Sequence, residues 1–136
     1  MRNIKVCPVI TRGSGQDKEL LLFKHPIAGV QLVKGTVEDF DVSFGTAALR
    51  ELVEESGIEK VESVRYLGSW DSGYQHQIWH LLQCKCGDLP DTWTFRTQDD
   101  GGHDFAFFWH KFNDALSFEC QDVFVRAIKH VIRISA

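Results

Sequence analysis

The chain predicts a mixed α/β (α+β) fold, and three features of the pattern carry that prediction. Strand-like runs over residues 4–12, 19–24 and 29–33 precede the first helical segment, and more follow it. Residues 43–57 have the caps and spacing of a helix lying against a sheet. Val123, Phe124, Ala127, Ile128, Val131 and Ile132 recur on one face of a second helix near the C-terminus. A chain of 136 residues with 43% hydrophobic content fits one domain with a sizeable core, and no repeat or linker divides it.

Each element has a local cause. The strand over residues 4–12 ends at the turn Gly13-Ser14-Gly15, and residues 19–24 form a second, strongly apolar strand. The runs 61–70 and 77–86 are longer strands, expected to pair around Asp71-Ser72-Gly73. Residues 105–112 are almost continuously aromatic, which predicts a central strand. The last helix is expected to begin at Ser117 or Glu119, with Arg126, Lys129, His130 and Arg133 on its wet side. In the first helix Ser43 is the expected N-cap, Gly57 the left-handed stop and Ile58 the contact beyond it. Ala48, Leu49, Leu52, Val53 and Ser56 are expected to form a mostly apolar stripe away from the acids.

Those acids carry the chemistry. Arg50-Glu51-Leu52-Val53-Glu54-Glu55 places three carboxylates at spacings of three and four, within about a third of the helix circumference at about 100° per residue. They repel one another unless a positive charge sits among them, and Arg50 is the only basic residue from 35 to 59. A hard divalent cation, Mg²⁺ or Mn²⁺, suits an all-oxygen set of this kind. A surface helix whose acids face water would show the same string. Arg50 and Glu54, four apart, are placed to pair.

Composition excludes some functions. A formal charge of −4 and a pI near 5.8 argue against a binder of DNA or RNA duplexes, but not against a small polyphosphate substrate. No apolar run approaches the roughly 20 residues that span a bilayer, and no signal peptide opens the chain, so no membrane partner is expected. Cys7, Cys84, Cys86 and Cys120 lack zinc-finger spacing and read as free thiols of a cytoplasmic protein. His76 and His80, on one strand face about 13 Å apart, are too distant to share a metal. Trp70, Trp79 and Trp109 read as core, while Lys24, His25 and Gln31 lie on strands that could line a cleft.

Gly35 through Ile58 resembles the Nudix box, the loop-helix-loop signature of the Nudix hydrolases. The half from Arg50 to Ile58 matches the pattern at every specified position. In the first half, five residues on from Gly35 comes Asp41 where the family has Glu, and eight residues rather than seven separate it from Arg50.

The resemblance implies a mixed β-sheet sandwiched between helices. It also implies Mg²⁺-dependent hydrolysis (Mn²⁺ as a substitute) of a pyrophosphate bond in a nucleoside diphosphate linked to a further group. The partner would be that small molecule; a homodimer is the family-level expectation. Carried onto this sequence, Glu54 and Glu55 are the foremost metal ligands. Glu51 is a third ligand or the acceptor of the water's proton, and the Lys34 carbonyl is a backbone ligand. Arg50 orients Glu54 or Glu51 and completes the catalytic group with them. Glu38 is a helper ligand or loop-fixing acid on the substrate side, and Asp41, about one methylene short, carries less weight.

Residues 87–104 show little strand or helix pattern, as binding loops often do, although a solvated excursion would look the same. Trp93 or Phe95 is expected to stack on a base and Arg96 to contact phosphate. The family also takes an acid from such a loop, which makes Asp99, Asp100, His103 and Asp104 candidates. A Nudix-fold sensor that binds a nucleotide without turnover is the alternative function, motivated by the irregular first half of the box. A preference for capped or 5′-triphosphorylated RNA finds no support in the acidic balance.

Overall fold

A computed structural model describes residues 3–98 and 101–135. Among them the chain forms β1 (Ile4–Val9), β2 (Thr11–Arg12), β3 (Glu19–His25), β4 (Gly29–Gln31), β5 (Gly35–Thr36) and α1 (Phe44–Ser56). After these come β6 (Ser63–Asp71), β7 (Ile78–Lys85), β8 (Trp93–Arg96), β9 (Asp104–Lys111) and α2 (Asp122–Ser135). One sheet has the order β5-β1-β7-β6 and the other β2-β3-β9-β8, with β4 beside β3. β1 runs parallel to β7 and the remaining pairs are antiparallel, so the architecture is mixed as expected.

The strand expected over 4–12 is two strands in two sheets. Ile10 lies between them, and its carbonyl accepts from the Leu21 amide, 2.9 Å. The run 29–33 pairs only to Gln31, and the last helix begins at Asp122, after Ser117 and Glu119. The larger correction concerns residues 87–104. Trp93–Arg96 is a strand paired with β9 in the register Trp93↔Phe107 to Arg96↔Asp104. Its alternation of aromatic and polar residues covers only four positions, too few to stand out in a long polar run. β9, rich in aromatic residues, is central as predicted, between β3 and β8.

The pleat sorts side chains between the two helices. Cys7 and Val9 of β1, Leu20 and Leu22 of β3, and Trp79 and Leu81 of β7 pack on Val123, Phe124, Ala127, Ile128 and Val131 of α2. On the opposite face, Leu21, Phe23, Cys84, Phe105 and Phe107 meet Leu52 of α1, and Val6 and Leu82 meet its Ala47 and Ala48. Both sheets feed both cores, and each fully buried Leu, Ile or Phe contributes about 1.5–3 kcal/mol at most. Phe23 stacks on Phe105 at 4.3 Å between centroids.

The turn joining β6 to β7 is unusual. Gln75 and His76 are both left-handed, with φ of +51° and +58°. Such positions cost about 1–3 kcal/mol each unless their surroundings fix them. Ser72, fully buried, does the fixing: its hydroxyl donates to the Gln77 carbonyl at 2.7 Å and accepts from the Tyr74 amide at 3.1 Å. Arg126 of α2 donates to the Ser72 carbonyl.

Candidate active site

The helix that carries the acids is capped as its sequence predicts. Ser43 Oγ accepts from the Thr46 amide at 3.0 Å, and Gly57, at φ +77°, donates its amide to the Val53 carbonyl at 3.0 Å. The inward face differs from the expected stripe. Ala47, Ala48, Leu52 and Ser56 are buried, but Leu49 and Val53 are 36% and 39% exposed. Glu51, expected on the acid face away from the apolar stripe, is only 8% exposed.

Glu51 turns inward because glycine leaves room for it. A Cβ on Gly35 would lie 1.8 Å from the carboxyl carbon of Glu51, so any larger residue there would displace the acid. Burial pushes the Glu51 carboxyl above its ordinary value; hydrogen bonding to Arg50 opposes the rise and the charge of Glu54 adds to it. The neighbouring Glu55 also works against the rise.

Arg50 gathers the motif. Its Nε and Nη2 donate to Asp41 at 3.1 and 2.7 Å, and Nη2 also donates to the Thr36 carbonyl at 3.0 Å. Nη1 reaches Glu51 at 2.8 Å and Glu54 at 3.1 Å. The bond to Asp41, the largest cause, pushes the guanidinium further up, and Arg50 holds the Asp41 carboxyl below its usual range. Asp41 also accepts from the Glu38 amide at 2.8 Å, closing the loop ahead of α1. Asp41, given little weight by its length, is therefore the main anchor of Arg50, and Glu38 joins the network through its backbone.

A polar groove of about 250 Å³ lies beside Glu55. Glu55 and Lys34 lie on its wall with His25, Gln31, Tyr74, Thr97, His103 and Gln121, among other residues. The Lys34 ammonium sits 4.8 Å from the Trp79 ring centre and 5.5 Å from that of Phe124; burial, then the charge of Lys5, pulls its pKa down. His25 Nδ1 accepts from the amides of Ile27 and Ala28 at 3.0 and 3.1 Å, which places the proton of a neutral ring on Nε2. Its ring lies 4.8 Å from that of His103. Of the strand residues expected near a cleft, His25 and Gln31 line the groove, whereas Lys24 borders a separate one with Thr94 and Phe108.

Trp93, Phe95 and Arg96 lie elsewhere. Trp93 stacks on Phe107 at 4.8 Å and donates to the Ser56 carbonyl at 3.1 Å, while Phe95 packs on Gly57. Both border a wider groove of about 740 Å³ beyond the end of α1. Arg96 pairs with Asp104 at 3.3 Å on the surface. Of the remaining loop candidates, His103 reaches the acid-side groove, and Asp99 and Asp100 lie outside the described residues. Sequence reasoning missed Tyr74, Thr97 and Gln121, which come from separate segments and share no local pattern.

The donor set is all oxygen, as Mg²⁺ prefers. Among the described residues no three His, Cys, Asp or Glu side chains already form a metal-holding group. Arg50 occupies an oxygen of both Glu51 and Glu54, and the Glu54 side chain is exposed. The carboxylates therefore fit a divalent cation by the chemistry of their oxygens, while Arg50 holds two of them in the arrangement shown. No helix of the described residues is long and apolar enough to cross a membrane.

Comparison with known proteins bears on the fold and the family. The chain superposes on the Nudix domain of Shewanella oneidensis NrtR, solved with ADP ribose, at a TM-score of 0.72 and 15% identity over 100% of this chain and 90% of that one. It superposes on the MutT Nudix hydrolase of Burkholderia pseudomallei at 0.67 and 22% identity, over 95% and 97% of the two chains. At these identities the likeness shows the fold. A search of curated protein sequences finds no match. The family model described as NUDIX domain matches residues 1–128, and the chain belongs to the Nudix family.

Proposed function

We propose that the chain is a Mg²⁺-dependent pyrophosphohydrolase that cleaves the P–O–P bridge of a nucleoside diphosphate joined to a further group. The observation that carries this reading is Glu51: a carboxyl buried against Gly35 and bonded to Arg50, about one helical turn from Glu55 on the wall of a polar groove. Burying an acid beside two others destabilises a fold, so its place is better explained by chemistry than by stability.

In this reading Glu54 and Glu55 hold Mg²⁺ (or Mn²⁺), with Glu51 and the Lys34 carbonyl as further ligands. The bound ion would neutralise phosphoryl oxygens and acidify a water. Arg50 fixes the directions of Glu51 and Glu54, and Asp41 fixes Arg50. Glu51, raised by burial, is a stronger base than an exposed carboxylate and suits removal of the water's proton. The Lys34 ammonium on the groove wall would meet a phosphate oxygen. Glu38, whose amide donates to Asp41, would be a helper ligand or loop-fixing acid on the substrate side. Trp93 and Phe95 brace the end of α1 instead of stacking on a base, and Arg96 steadies β8 against β9.

The test is a panel of nucleoside triphosphates, dinucleoside polyphosphates, sugar nucleotides and coenzymes with Mg²⁺. Release of phosphate or a nucleoside monophosphate that Glu54→Gln and Glu55→Gln abolish supports the enzyme. A sensor without turnover is the second reading, favoured by the grip of Arg50 on two of the three acids. The likeness to the NrtR domain solved with ADP ribose leans the same way. Tight nucleotide binding with no release under any divalent ion would establish it.

A further inference from the structure

The groove beside Glu55 has a wall that the acid motif does not account for. Lys34 and Glu55 are its charged residues, apart from two histidines; Gln31, Tyr74, Thr97 and Gln121 are uncharged donors and acceptors. Each glutamine amide both donates and accepts. Tyr74 is 41% exposed and supplies an aromatic ring from the turn between β6 and β7. Two adjacent left-handed residues, Gln75 and His76, follow it directly, and the buried Ser72 and Arg126 of α2 hold the turn in that shape. Strain of this sort persists where the surroundings over-determine it. Its effect here is to keep Tyr74 at the groove, one segment away from the acids. At about 250 Å³ the groove is slightly below the usual range of small-molecule sites, about 300–1,000 Å³, and suits one ring system rather than a whole dinucleotide.

We propose that this wall recognises the nucleobase of the substrate, with Tyr74 as the aromatic platform and Gln31 and Gln121 reading the base edge. The proposal rests on reading the acids as the pyrophosphate site, since Glu55 belongs to both. The aromatic ring held at the groove favours a planar partner over a sugar. Tyr74 is thus a specificity-determining residue that lies outside the Nudix box.

Calorimetric titration of the full chain with the four nucleoside 5′-monophosphates and with ribose 5-phosphate tests it. Tyr74→Ala should weaken binding of at least one nucleotide by about 5- to 100-fold and leave ribose 5-phosphate unchanged. Tyr74→Phe, which keeps the ring, should bind as the wild type does. Gln121→Ala, on an exposed residue at the start of α2, should change the ranking among bases, and it serves if Tyr74→Ala does not fold. Wild-type nucleotide affinity in Tyr74→Ala overturns the proposal, as does an equal loss for ribose 5-phosphate or an unchanged ranking in Gln121→Ala. Hydrolysis with a KM indifferent to Tyr74→Ala would overturn it while leaving the enzyme intact. Tyr74-dependent nucleotide binding without hydrolysis would sustain it and remove the hydrolase instead.

Discussion

Asp41 meets Arg50 through two parallel hydrogen bonds, Oδ1 to Nε at 3.1 Å and Oδ2 to Nη2 at 2.7 Å, with an Asp41 side chain only 1% exposed. The shorter acid and the extra loop residue ahead of Arg50 therefore work as a pair: the loop brings the carboxylate close enough that a methylene is not needed. Asp41→Ala should lower Mg²⁺ affinity by about 10- to 100-fold, because Arg50 then loses its anchor while still touching Glu51 and Glu54. Arg50→Lys should do no better, since an ammonium cannot make the two-pronged contact. Asp41→Glu should fall below wild type instead of improving on it. Activity measured against Mg²⁺ concentration checks all three.

Gly35 is needed for space. Gly35→Ala should push the Glu51 carboxyl out of its niche and reduce kcat by about 100-fold or more, if that acid serves as base or ligand. Helix content should be unchanged by far-UV circular dichroism. Wild-type turnover in a folded Gly35→Ala protein would remove Glu51 from the chemistry.

Gly57 has two reasons to be glycine. Its φ is +77°, and an added Cβ would sit 2.8 Å from ring carbons of Phe95. Gly57→Ala should cost about 1–3 kcal/mol in urea unfolding, more than the roughly 1 kcal/mol expected of Ser43→Ala at the other end of α1.

His80 gives the fold a pH dependence away from the acids. Its ring stacks on Phe44 at 3.9 Å, and Nδ1 lies 2.8 Å from the Tyr66 hydroxyl. Burial lowers its pKa, so the folded chain favours the neutral ring. Its contribution is therefore intact above the unfolded value of about 6.5, and is lost as pH falls toward the lower folded value. Thermal melts from pH 7.5 to 5 should show Tm falling, and His80→Phe should flatten part of that slope.

How much could be read in advance depended on whether the cause was local. Ser43, Gly57 and the Arg50–Glu54 pairing follow from neighbours in sequence, and the structure has all three. The inward turn of Glu51 depends on Gly35, sixteen positions earlier, and a helical wheel cannot show it. Trp93 and Phe95 were placed in a binding loop because a four-residue strand has no visible period; pairing with β9 makes them packing residues. The rest of the groove wall was least legible, since Tyr74, Thr97 and Gln121 join His25 and Gln31 only after both sheets and α2 have assembled.

The two buried thiols divide the molecule between them. Cys7 packs on the α2 side and Cys84 on the α1 side, and burial pushes both up to about 12. Neither can form appreciable thiolate at neutral pH while its layer stays shut. Alkylation at each cysteine, resolved by mass spectrometry, would thus act as a separate clock for the opening of each half.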